Sequence, residues 1–287
     1  MNFTQKTKVT LFQGDCVEGM RKHVKPGSVD IIVTSPPYNL GIQYNSYADR
    51  KEWDDYFAWT LEWAEMAHQS LQPDGSLFLN IGGSLKSPLL PHKVVDLLTK
   101  DGKFVLQNTI LWVKSIAMPE TDPDTKQKVE KQRGHYKPIN SERFVNDLHE
   151  HVFHLTPQGK TPLDRKAIGV PYADKSNIAR WGHTGGDDLK CRGNVWFVPY
   201  KTINRRAMDR PHPATFPDDL VAKCVKLHGK NGSSVVMDPF LGIGHAAYAS
   251  IDCQVKEFIG FEIDPVYLGV VREELSAREN TFDVQEV

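Results

Sequence analysis

Cysteine is scarce and scattered in this 287-residue chain. Cys16, Cys191, Cys224 and Cys253 form no CxxC pair, so the sequence carries no disulfide framework and reads as a reduced, cytosolic-type chain. No apolar run approaches the length of a membrane span, and residues 1–8 lack the apolar core of a signal peptide. Charge of one sign is also lacking. The net value is −1, so global charge gives no support for a nucleic-acid partner, although a local basic face is enough for one. A GxxxxGK[ST] phosphate loop is missing, which argues against an NTPase. Repeats and low-complexity tracts are missing too.

What is present describes a soluble globular protein. Hydrophobic residues make up 40% and charged residues 25%, and the length allows one large domain or two smaller ones with ample core. Short apolar runs predict strands at 8–13, 29–34, 76–81, 104–113, 151–155, 234–238 and 258–262. Between them, spacings of three and four predict helices at 53–71, 94–98, 218–227, 245–251 and 265–277. The alternation argues for an α/β fold with a mostly parallel sheet and helices on both faces. Residues 115–146 and 156–210 break the rhythm. They are polar, basic in places, and interleave Arg and Lys with Trp, Tyr and His, which suits contact with phosphates and stacked bases as well as an ordinary solvated surface.

Two stretches carry chemistry. In "SSVVMDPFLGIGHAA" a strand runs into Asp238, then Gly242 and Gly244, then a helix. Eighteen residues after Gly244, Glu262 ends the next strand. Glycines at such a turn let backbone approach a ligand, and an acid at that distance can accept from ribose hydroxyls, so the set predicts a nucleoside-containing cofactor. In "IVTSPPYN" a strand of apolar residues stops at two prolines. Proline carbonyls accept hydrogen bonds but proline nitrogens cannot donate, so Ser35-Pro36-Pro37-Tyr38 presents acceptors beside an aromatic ring. An ordinary strand-ending turn is the competing reading.

Together, "TSPPYN", "DPFLGIG" and "GFEIDPVYL", with "LFQGDCVEGM" and "HPATFPDDLVAKCV", closely resemble the β group of amino-methylating DNA methyltransferases. The resemblance covers nearly all the chain outside the two irregular stretches. It implies a Rossmann-like methyltransferase sheet of seven strands with an irregular inserted target-recognition region. Residues 1–114 would form the catalytic half, 115–210 the recognition insertions around a core strand near 151–155, and 211–287 the cofactor-binding half. It implies S-adenosylmethionine as cofactor and double-stranded DNA as partner. A homodimer and a separate restriction nuclease stay open. The expected location is the cytoplasm of a bacterial- or phage-type system, at the nucleoid.

By the same resemblance Asp238 contacts the cofactor's methionine amino group, Phe240, Gly242 and Gly244 shape its pocket, and Glu262 holds the ribose. His212 and Phe216 line the methionine side, and Asp15 lies near the adenine amino group. For Asp15 a turn-forming role after Gly14 competes. His245 departs from the family's usual Thr or Ser. Ser35, Pro36, Pro37 and Tyr38 would cradle a base flipped from the duplex. Ser-Pro-Pro occurs mostly in cytosine-N4 enzymes, so cytosine is expected ahead of adenine-N6. Methylation of RNA or of a protein glutamine, and a non-catalytic DNA-binding module, are the other readings. Attack at the cytosine ring carbon needs a cysteine nucleophile, which in such enzymes follows a proline. Here the four cysteines follow Asp15, Lys190, Lys223 and Asp252.

Several features receive plain structural readings. In "HEHVFH" strand alternation puts His149 and His151 on one face and His154 on the other, favouring a strand over a metal site, and no metal is expected. Glu150 reads as a scaffold contact. Trp53, Trp59 and Trp63 read as core and helix-face residues. Arg205, Arg206 and Arg210 fit either phosphate contact or open surface.

Overall fold

The computed structural model describes residues 6–121, 128–134, 141–180, 185–200, 212–278 and 282–286. Arg205, Arg206 and Arg210 lie outside them. The strands are β1 (Thr7–Gln13), β2 (Val29–Thr34), β3 (Leu71–Ile81), β4 (Val105–Thr121), β5 (Lys128–Gly134), β6 (His149–Thr156), β7 (Val195–Pro199), β8 (Val235–Asp238), β9 (Glu257–Glu262) and β10 (Phe282–Glu286). The helices are α1 (Cys16–His23), α2 (Trp53–Ser70), α3 (Leu90–Lys100), α4 (Ser176–Arg180), α5 (Asp218–His228), α6 (His245–Asp252) and α7 (Pro265–Ala277).

The described strands form one ten-stranded sheet, in the order β10-β1-β9-β8-β2-β3-β6-β4-β5, with β7 also pairing β4. All seven expected strands are in it. The three additional ones sit towards its two ends: β10 is parallel to β1, and β5 and β7 are paired to β4. β6 runs antiparallel between β3 and β4. β4 continues eight residues past the expected end at 113, through Pro119. Proline is tolerated there because the extension pairs with β5 near the end of the sheet. Pro73-Asp74-Gly75, turn-type residues just past the expected helix at 53–71, lie inside β3. α2 stops at Ser70, β3 begins at once, and the three residues form a bulge where the β2–β3 register shifts.

Two apolar clusters cover the two faces. One gathers α5, α6 and α7, through Val225, Ala246 and Leu268 among others. The other gathers α1, α2 and α3, through Met20, Trp63 and Val94. β2 is buried along its whole length, which explains its unbroken run of Val, Ile and Thr around Asp30.

Because β1, β9, β8, β2 and β3 are mutually parallel, their C-terminal ends share one edge of the sheet. Asp15, Glu262, Asp238, Ser35 and Asn80 therefore converge there from distant sequence positions. This is the edge where open α/β sheets hold ligands.

A buried polar chain lies elsewhere in the sheet. Ser76 Oγ is 2.9 Å from both His154 Nε2 and His228 Nδ1, and Asn108 Nδ2 is 2.9 Å from His154 Nδ1. The third histidine of "HEHVFH" thus belongs to the core, stacked on Phe78 at 4.5 Å. Burial lowers His154 to about 3 and His228 to about 4. Both rings are neutral when folded and take up protons more readily when unfolded. Their contribution to stability is complete above pH ~6.5, the ordinary histidine value, and is lost as pH falls below it. Thermal unfolding between pH ~7 and ~4 should therefore cost the wild type more stability than His228→Gln. Equal losses in both would refute this role.

Candidate active site

A cavity of about 590 Å³ opens at the C-terminal edge of the parallel strands. Of the residues singled out in the sequence, Asp15, Ser35, Pro36, Pro37, Tyr38, His212, Phe216, Phe240, Gly242 and Glu262 line it. Asp238 does not reach the wall. It is fully buried, with Thr34 Oγ1 donating to its Oδ1 at 2.6 Å and the Phe240 N–H donating at 2.9 Å. Thr34 immediately precedes Ser35, so this bond clamps the serine turn to the glycine loop. Gly244 stands just behind the wall as N-cap of α6, at φ 93°. A Cβ there would come within 2.8 Å of the Tyr248 ring, which requires glycine.

Gly242 also has positive φ, 57°, and its N–H donates to Glu262 Oε2 at 2.7 Å. Glu262 Oε1 accepts from the Asp264 N–H at 2.8 Å. The acid read as a ribose ligand therefore also anchors the glycine turn, with a lone pair left on each oxygen. Burial raises Asp238 and Glu262 to about 7 each, against the lowering pull of their hydrogen bonds. Among the described residues, Asp238 Oδ2 has no hydrogen-bond partner. A buried, unpaired carboxylate oxygen is costly unless a donor meets it. Asp15 caps α1, accepting from the Val17 and Glu18 N–H groups, so its turn role is present alongside its place in the cavity wall.

The Ser-Pro-Pro-Tyr end is a polar network. Ser35 Oγ lies 2.8 Å from Tyr38 Oη. Tyr38 Oη lies 3.1 Å from the Asn80 carbonyl and 3.2 Å from Glu150 Oε2, either of which can accept its one proton. Asn80 Nδ2, with two hydrogens to give, lies 2.7 Å from Glu150 Oε2, 2.9 Å from Tyr38 Oη and 3.3 Å from Ser35 Oγ. Lys114 forms an ion pair with Glu150 and lies over the Trp112 ring. Burial first, then the Glu150 carboxylate, pushes the Tyr38 phenol up, so it keeps its proton. The Pro37 carbonyl is taken by Tyr56 Oη at 3.0 Å, whereas no described group donates to the Pro36 carbonyl. Asn39, at φ 57°, turns the chain away. Asp49 holds that turn by accepting from the N–H groups of Asn39, Leu40 and Ile42.

Sequence reasoning missed Asn80, Lys114 and Asp49, and took Glu150 for scaffold. Asn80 had one available signal, a polar residue ending an apolar strand before Gly82-Gly83. Trp59 is a cavity-wall residue as well as a helix-face one, edge-on to Phe240 at 5.5 Å, while Trp63 is fully buried.

A doubly-wound sheet with a glycine turn and a Ser-Pro-Pro-Tyr turn facing one cavity defines a class of nucleotide-cofactor transferases. The profile of the DNA methylase family matches residues 29–273, and the chain belongs to that family: it is a DNA methyltransferase. It is 28% identical over 275 residues to the type II methyltransferase M.BglII of Bacillus subtilis, across 93% of this chain and 68% of the relative. Its fold superimposes on the PvuII cytosine-N4-specific DNA methyltransferase with a TM-score of 0.64 at 17% identity, covering 98% and 92% of the two chains. It also matches the M1.HpyAVI–SAM complex with a TM-score of 0.54 at 19% identity, covering 93% and 99%.

Proposed function

We propose that this methyltransferase uses S-adenosylmethionine to methylate the exocyclic amino group of a base flipped out of duplex DNA, with cytosine N4 as the target. The observation that carries the proposal is the Thr34–Asp238 bond, which fixes the turn bearing Ser35 Oγ and the Pro36 carbonyl against the glycine loop in one cavity. Asp238, Gly242 and Glu262 would hold the cofactor, with Phe240, His212 and Phe216 as walls. When bound, the cofactor supplies a methyl group activated on sulfonium.

The residues of the chain prepare the base. An exocyclic amino nitrogen is a poor nucleophile because its lone pair is delocalised into the ring. Two acceptors, Ser35 Oγ and the Pro36 carbonyl, can draw off its two hydrogens and favour a tetrahedral nitrogen. The network sets the polarity of Ser35. Tyr38 gives its single proton to Glu150 or the Asn80 carbonyl, so its oxygen accepts from the Ser35 hydroxyl, and Ser35, with one lone pair facing Asn80 Nδ2, has the other for the base. The same chain of hydroxyls gives the departing amino proton a route to Glu150. Positioning is the main catalytic contribution in such a displacement. The recognition residues would come from 115–146 and 156–210; the chain would act alone or as a homodimer, and restriction would need a separate nuclease.

Purified protein incubated with methyl-labelled cofactor and duplex DNA, RNA or protein should label DNA alone. Mass spectrometry of the digested DNA should show N4-methylcytosine. N6-methyladenine would move the target to the other amino base, and label confined to RNA or protein would sink the proposal.

A further inference from the structure

Lys114 is the one lysine or arginine among the described residues lining the cavity. It stands in β4, with Glu150 in the neighbouring β6 and Asn80 in β3 beyond. Pairing sets Trp112 opposite Glu150 and Asn80 opposite Val152. Alternation along each strand then puts Asn80, Glu150, Trp112 and Lys114 on one face of the sheet. Three adjacent strands, not a loop, thus hold Lys114 in the wall that also contains Ser35, Pro36 and Tyr38.

A lysine ammonium has three donors and no acceptor. Lys114 is ion-paired to Glu150, and its Nζ lies 5.8 Å from the centroid of the Trp112 ring. Among the described residues no second carboxylate pairs with it. The neighbouring donors are directed within the network: Asn80 Nδ2 towards Glu150, Tyr38 and Ser35, and the Tyr38 hydroxyl towards Glu150 or the Asn80 carbonyl. Lys114 therefore brings spare N–H donors to the end of the cavity where Ser35 Oγ and the Pro36 carbonyl present acceptors.

We infer that Lys114 is a specificity-determining residue for the target base and donates to the ring nitrogen and carbonyl that follow the amino group along the base's edge. The inference rests on the reading of the Ser-Pro-Pro-Tyr turn as the cradle of that amino group. Enzymes that flip a base read it by hydrogen bonds to this edge. Cytosine carries N4, N3 and O2 in a row, one donor followed by two acceptors. With N4 held by the turn, N3 and O2 meet an ammonium that has donated one hydrogen to Glu150 and has two left. Adenine has an acceptor, N1, beside its amino group but a C–H beyond it, so it satisfies one donor fewer. Uracil and thymine place a ring N–H against the cation and are rejected. Glu150 balances the charge of the ammonium inside the cavity.

Single-turnover methylation of duplex DNA tests this, with the target cytosine, at the site mapped from the methylated product, replaced by 3-deazacytosine. That base keeps the amino group and O2 and has a C–H in place of N3. The wild type should lose about 10- to 100-fold in rate, the size of one hydrogen bond to a charged group. Lys114→Met should be slower than wild type on cytosine by a similar factor and should distinguish the two bases far less. Its affinity for S-adenosylhomocysteine should be unchanged, which checks folding. Lys114→Gln, whose amide still donates to Glu150, should fall between the two. Intrinsic differences between the bases are common to all three proteins and cancel in the comparison. Variants as selective as the wild type, or a wild type that methylates both bases equally, overturn the inference and leave the proposed function standing. N6-methyladenine in the wild-type product overturns the cytosine reading and the inference with it.

Discussion

Ser35→Ala is expected to lower the single-turnover rate of methyl transfer by about 10²- to 10³-fold, the usual cost of deleting one positioned hydrogen-bonding group at a reacting centre. Cofactor affinity should not change, because Ser35 touches the network of Tyr38 and Asn80 and not the glycine loop. Tyr38→Ala should be at least as damaging. On the proposed mechanism it removes the ring that would stack on the flipped base and also the hydroxyl bonded to Ser35. Tyr38→Phe separates these parts. It keeps the ring, leaves Glu150 bonded to Asn80 and Lys114, and frees Ser35 to turn its hydroxyl hydrogen towards the base. Its rate should fall between wild type and Tyr38→Ala. Rapid-quench kinetics on labelled duplex DNA, with calorimetric S-adenosylhomocysteine binding as control, measures both quantities. Undiminished transfer in both alanine variants would remove this turn from the active site. Parallel losses of rate and cofactor affinity would mean the turn acts on the cofactor rather than the base.

What could be read from sequence followed the range of the forces involved. The seven core strands are legible because each is a short apolar run between turn residues. The glycine turn is legible because positive φ at Gly242 and Gly244 demands a residue type visible in the sequence. Helix α1 escaped because its signal is a single cap, Asp15, ahead of only eight residues, of which Cys16, Val17 and Met20 are buried. β5, β7 and β10 escaped because strands added near the ends of a sheet need little burial, and their pairing partners lie far along the chain. β7, for example, alternates exposed and buried residues and depends on β4 for its register. The Lys114–Glu150–Asn80 network was not legible because its members come from three strands. Only the antiparallel insertion of β6 between β3 and β4 brings Glu150 close to both of the others. His154 shows the same limit: its spacing in "HEHVFH" gives its face of the strand but not Ser76 and His228 as its partners.

Asp238→Asn should weaken S-adenosylhomocysteine binding by about 100-fold or more while making the ligand-free protein more stable at neutral and alkaline pH. The two effects share one cause. Asp238 is fully buried, its Oδ1 is satisfied by Thr34 and Phe240, and its Oδ2 meets no described donor. Burial raises it to about 7, well above the ordinary carboxylate value of about 4. Between those values the folded protein holds a proton that the unfolded chain releases. The stabilising share of Asp238 is therefore complete below pH ~4 and is lost as pH rises through about 7. Above that, the empty site contains a buried charge that a cationic ligand would neutralise. Asparagine keeps an acceptor for Thr34 and Phe240, carries no charge, and turns a donor towards the ligand's ammonium. The melting temperature of the variant should exceed that of the wild type by a few degrees at pH ~8, with the gap closing as pH falls towards ~5. Glu262 is raised in the same sense and remains in the variant, so some pH dependence persists there. In the wild type, S-adenosylhomocysteine should close the gap by stabilising the folded state, and in the variant it should do so far less. Scanning fluorimetry across pH, with and without ligand, reads both halves. A variant that binds the ligand as tightly as wild type, or has the same stability profile against pH, would show that Asp238 is neither the ammonium site nor a buried charge awaiting one.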